Sequence, residues 1–240
     1  LGIFEVTFQF ALLPLVKVMP VINPIMFPAF SKFQDQRDVA THYLEKSLGI
    51  VALGLFPIML GTASVSQEFV ATILGEKWLA VATPLALLSI AMPFRMTTSF
   101  LRPVLNSMGR PDLALKSTIV ALVVLLPLIL MGAHEGVMGL VIALAITELI
   151  VVLFTISMSK AVLDVSFVKI GRSLRPAIVS SCVMALSVVG IKAVFGVQNG
   201  FGGLLIEIGA GAIIYYLMLR IFYRKLFQDA IRLFLGRRKS

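Results

Sequence analysis

The chain has 240 residues, 59% of them hydrophobic and 14% charged, with a mean hydropathy of +1.00. No soluble domain of this size needs so much apolar sequence to fill one core, so the composition defines an integral membrane protein. The net charge of +9 does not point to nucleic acid, because the basic residues fall between apolar runs rather than on one patch.

The first span is expected from Ile3 to Phe30, interrupted by Pro14, Pro20, Pro24 and Pro28 and carrying Lys17 near its middle. Proline frees backbone groups that must find partners in neighbouring helices, side chains or water, so a kinked helix beside a cavity fits, as does a kinked helix packed in a bundle. The chain enters this span directly at Leu1, without the charged start and cleavage site of a signal peptide. A truncated sequence with further spans upstream is the expectation.

Ser31 to Lys46 is polar, and Ser47 to Gln67 is the second span. In the connection that follows, Phe69, Val70, Ile73 and Leu74 recur at one-face helical spacing, so a short interfacial helix is expected, with Trp78 at headgroup level. The third span, Trp78 to Leu101, contains Arg95. An arginine at the centre of a spanning helix costs roughly 2.5 to 3.5 kcal/mol on insertion scales. Its exit, Asn106-Ser107-Met108-Gly109-Arg110-Pro111-Asp112, reads as a tight helical hairpin: Gly109 suits a left-handed helix end, Pro111 a first helical position and Asp112 the positive first turn. The remaining spans are expected at 113–133, at 137–159 with Glu148 at its midpoint, at 176–196 and at 200–219. The fold class is therefore all-α, a polytopic bundle of about seven spans.

Counting Lys and Arg in the connections tests this map. Seventeen fall after the first, third, fifth and seventh spans, two (Lys77 and Lys192) after the second and sixth, and only Lys17 and Arg95 lie within the membrane. The positive-inside rule makes the richer side cytoplasmic, which places the C-terminus in the cytoplasm. The tail, residues 220–240, sets Arg220, Arg224, Lys225 and Arg232 against Phe222, Leu226, Phe227 and Phe234, the pattern of a basic amphipathic helix lying on the anionic lipid of the cytoplasmic surface.

No nucleotide loop, zinc-protease motif, paired cysteine or nucleophile elbow is present, and Cys182 lies alone in an apolar run. No catalytic residue, metal ligand set or cofactor is expected, so the chain does not read as an enzyme. What remains is a set of charges in apolar surroundings: Lys17, Arg95, Glu148 and, nearer the outer end of the last span, Glu207. Lys17 and Glu148 share a depth that allows them to pair, and Lys192 and Glu207 are a second possible structural ion pair. The functional reading makes Arg95, Lys17 and Glu148 a substrate-binding set in a cationic cavity that accepts an anionic lipid headgroup.

The runs NPIMFPAFSKFQDQ (Asn23 to Gln36), ILGEKWLAVATPLALL (Ile73 to Leu88) and LRPVLNSMGRPDLALK (Leu101 to Lys116) resemble the second half of the Wzx-type polysaccharide or O-antigen flippases, relatives of the multidrug and toxin extrusion transporters. The resemblance implies the second lobe of a two-lobe transporter in a bacterial inner membrane, working by alternating access. Its implied cargo is undecaprenyl-diphosphate-linked oligosaccharide, and its implied partners are the missing N-terminal lobe and glycan-synthesis enzymes. A drug or cation antiporter is the alternative within transport, and a scaffold that only docks glycan-synthesis enzymes the alternative outside it.

Overall fold

A computed structural model describes residues 2–195 and 200–223. The amphipathic tail expected from the sequence lies outside the described residues from position 224 onward. Seven long helices are described: α1 (Gly2–Ser31), α2 (Arg37–Ser64), α4 (Ala82–Ser107), α5 (Pro111–Gly132), α6 (Gly136–Ser159), α7 (Phe167–Phe195) and α8 (Phe201–Phe222), with the short α3 (Ser66–Phe69) after α2. All seven are apolar and long enough to cross a bilayer, α5 and α6 forming one 49-residue apolar stretch (Pro111–Ser159) that folds back on itself.

Local chemistry sets the hairpins. After α4, Arg110 N–H donates to the Leu105 carbonyl (3.0 Å) and Gly109 N–H to that of Asn106 (3.1 Å), with Gly109 at φ 74, the two bonds of a Schellman motif. Pro111 then opens α5, and Arg110 clamps Asp112 through two hydrogen bonds of 2.9 and 3.0 Å. That clamp raises the Arg110 pKa above its ordinary value. Between α5 and α6 the chain turns through the 3-10 segment Ala133–Glu135 and Gly136. Gly132 and Gly139 face each other across this turn so closely that a Cβ on either would overlap the other's carbonyl. The segment from Ser66 to Val81 is helical in three short pieces, α3, the π turn Val70–Leu74 and the 3-10 turn Glu76–Val81, broken at Gly75.

Several helices extend past the expected spans. α2 starts at Arg37 rather than Ser47 and α7 at Phe167 rather than Pro176, while α4 runs on through Pro103 to Ser107 instead of stopping at Leu101. Charged residues in the first or last turns of these helices do not end them, because helix ends project beyond the apolar slab into the interface.

α4 is the central element, packed against α1, α2, α5 and α6, while α7 packs on the far side of α2 and α8 on α7. Its buried face includes Leu85, Leu88, Met92, Met96 and Phe100, each at most 1% exposed. Buried hydroxyls in the spans largely bond to their own helix: Thr7, Thr97, Thr147 and Thr155 each donate to the carbonyl four residues earlier. Pro57 has no N–H, so the Leu53 carbonyl lacks its helical donor, and the Tyr215 hydroxyl on α8 supplies one at 2.7 Å.

The basic connections gather at one end of the bundle. The Gln34 side-chain amide donates to the Ser107 carbonyl (2.5 Å), Asp164 N–H to Thr41 Oγ1 (3.1 Å), and the Ser173 hydroxyl to the Glu45 carbonyl. These contacts tie the α1–α2 turn and the start of α2 to the end of α4, the α6–α7 loop and the start of α7.

Candidate functional site

Arg95 sits at the midpoint of α4 and Glu148 at the midpoint of α6, each about 16 to 20 Å from either helix end at 1.5 Å per residue. At such positions a side chain must reach the interface alone or find a partner. The packing of α4 on α6 instead turns the two toward each other, and an Arg95 Nη1 donates to Glu148 Oε1 in an ion pair. Glu148 is the more enclosed partner, its side chain 10% exposed against 35% for Arg95.

The pair leaves Arg95 with unused donors. A guanidinium carries five N–H groups in a planar fork, and Glu148 takes one of them. Arg95 also lies over the Phe8 ring of α1, its Cζ 5.8 Å from the ring centroid. It forms part of the wall of two cavities. One, of about 220 Å³ between α4, α5 and α6, is lined by Thr98, Arg102, Thr118, Thr147 and Glu148 as well as Arg95. The other is an open groove of about 400 Å³ between α1 and α4, lined by Met19, Pro20, Asn23 and Ser99, and the buried Asn23 Oδ1 has no hydrogen-bond partner.

Arg102 enters this site because α4 does not end at Leu101. Seven residues after Arg95, it occupies the same helical face two turns on, and its Nε approaches Ser117 Oγ at 3.4 Å. Ser117 is in turn 2.6 Å from Thr155, a buried hydroxyl pair joining α5 to α6. The seven-residue spacing was the signal in the sequence; assigning Arg102 to a connection hid it.

Two pairings expected from depth alone are not formed. Lys17 lies at the midpoint of α1 but is exposed on its outer face, where it lines a surface groove with Glu5, Gln9 and Val16, and Glu148 is paired with Arg95 instead. Lys192 meets Glu68 of α3 (2.6 Å) and the Ser64 carbonyl (2.9 Å), not Glu207. Glu68 was missed because it precedes the interfacial segment and lies 124 residues from Lys192 in the chain.

This architecture is a bundle of membrane-length helices with a charge pair between the midpoints of two of them. Its fold is similar to that of the lipid II flippase MurJ in an inward closed conformation, with a TM-score of 0.76 at 17% identity, over 94% of this chain and 48% of that one. The family model described as polysaccharide biosynthesis protein matches residues 1–83. The chain is 29% identical over 168 residues to the lipopolysaccharide biosynthesis protein WzxC of Escherichia coli, covering 69% of this chain and 34% of that protein. It is 33% identical over 114 residues to the teichuronic acid biosynthesis protein TuaB of Bacillus subtilis, covering 48% and 24%. An uncharacterized membrane protein in the cps region of Klebsiella pneumoniae is 29% identical over 150 residues, covering 62% and 31%. The chain thus spans a quarter to a third of the length of the curated relatives it matches, and the resemblance to Wzx-type polysaccharide proteins expected from the sequence is borne out by these similarities.

Proposed function

We propose that this chain forms part of a transporter that moves a lipid-linked oligosaccharide, carried on undecaprenyl diphosphate, from the cytoplasmic to the outer face of the bacterial inner membrane. The observation that carries this reading is the Arg95–Glu148 pair at the midpoints of α4 and α6, beside a cavity, an open groove and a second guanidinium at Arg102. A diphosphate needs cationic donors while it leaves water, and a planar guanidinium suits phosphate oxygens. Glu148 neutralises Arg95 when no anion is bound. Lys17, on the outer face of α1, supplies charge to cargo approaching that helix. The cycle is one of alternating access, with the C-terminus in the cytoplasm, a reading supported by the distribution of basic residues.

Locating the lipid-linked oligosaccharide in cells deleted for the gene tests this directly. Accumulation on the cytoplasmic face is the expected result. Failure to make the oligosaccharide at all would sink the proposal in favour of a scaffold or an enzyme of assembly.

A further inference from the structure

Glu207 of α8 is 2% exposed, and its Oε2 has no hydrogen-bond partner. The neighbouring lysine is turned elsewhere: Lys192 bonds to Glu68 and to the Ser64 carbonyl. Lys192 is thus paired with Glu68, and Glu207 is left without a paired ammonium. A buried carboxylate oxygen without a donor is costly, and more so at a lipid-facing site.

The surroundings of Glu207 define what could satisfy it. It lines a groove of about 420 Å³ between α2, α7 and α8, whose walls are apolar, among them Ile58, Val65, Met184, Val188 and Ile208. Along α8 the groove runs from Glu207 to Tyr215, about 12 Å at the helical rise, toward mid-membrane. The hydroxyl donors along it are already used: Thr62 and Ser64 donate to carbonyls of their own helix, and the Tyr215 hydroxyl to Leu53. The groove therefore presents one acidic acceptor near the helix ends and an apolar channel running inward. A hard metal cation wants several oxygen ligands, which these walls do not offer. An amphiphile with a positively charged donor at its head and a hydrocarbon tail fits both the charge and the polarity profile.

We propose that this groove is a binding site for an ammonium-bearing phospholipid, its ammonium on Glu207 and one acyl chain along α2, α7 and α8. It is separate from the Arg95 cavities and does not depend on the transport reading.

The test is native mass spectrometry of the full chain released from nanodiscs containing equal amounts of phosphatidylethanolamine and phosphatidylglycerol. Wild type should retain phosphatidylethanolamine about ten-fold over phosphatidylglycerol, the scale of one charge-assisted hydrogen bond. Glu207→Gln, close to isosteric, should remove that preference, and Glu135→Gln, an exposed acid in the α5–α6 turn, should keep it. Ala212→Trp, which fills the groove from a lipid-exposed position while leaving Glu207 in place, should lose retention of both lipids. Equal retention of the two lipids by wild type, a preference that survives Glu207→Gln, or undiminished retention in Ala212→Trp each overturns the proposal.

Discussion

Arg95 and Glu148 meet at the midpoints of α4 and α6, so two charges that the bilayer would reject singly enter it as a pair. The desolvation of each is offset by the other, and removing one partner is more damaging than removing both.

Glu148→Leu should therefore destabilise the chain by about 2 kcal/mol, below the 3 to 5 kcal/mol of a fully buried broken pair because the Arg95 side chain is 35% exposed. The double variant Arg95→Met with Glu148→Leu should recover most of that loss. Reversible unfolding in mixed micelles measures both.

Exchanging the charges, Arg95→Glu with Glu148→Arg, separates stability from function. The pair re-forms, so unfolding should stay near wild type, whereas transport should fall because the cationic group moves from the wall shared by two cavities to one lining only the smaller. Arg95→Ala, which leaves Glu148 unpaired, should lower transport per folded molecule beyond any loss of protein level. Transport equal to wild type in both variants would remove Arg95 from the substrate site.

At the α5–α6 turn, Gly139→Ala places a methyl group against the Gly132 carbonyl and the Glu135 Cβ, so the hairpin must open. A loss of about 1 to 3 kcal/mol is expected, the range for overpacking. Gly190→Ala, where nothing lies within 4 Å of an added Cβ, should be neutral or slightly stabilising by helix propensity. Thermal unfolding of the two variants side by side makes the comparison.

Tyr215→Phe should cost about 1 to 3 kcal/mol by leaving the Leu53 carbonyl without a donor. In a Pro57→Ala background the backbone N–H of residue 57 can serve that carbonyl, so the same substitution should cost less. A double-mutant cycle reads the coupling, and purely additive costs would show that Tyr215 does not compensate for the proline.

How much was legible in the sequence differs from one feature to the next, for a physical reason. The apolar runs, the Gly109-Arg110-Pro111-Asp112 hairpin and the alternation of basic connections are local properties of the chain, set by helix rise, capping chemistry and charge, and they point to seven membrane-length helices with Glu148 near the middle of one. Depth did not settle partnership. Helices that are apolar nearly all round carry no strong stripe to say which face turns inward, because lipid is as apolar as a neighbouring helix. The rotation of α6 that brings Glu148 to Arg95, the outward turn of Lys17 on α1, and the reach of Lys192 to Glu68 rather than Glu207 are consequences of packing between residues far apart in the chain. Composition and spacing alone set which charges fall within apolar helices; packing between distant residues set which of them neutralise one another and left the Glu207 Oε2 without a partner.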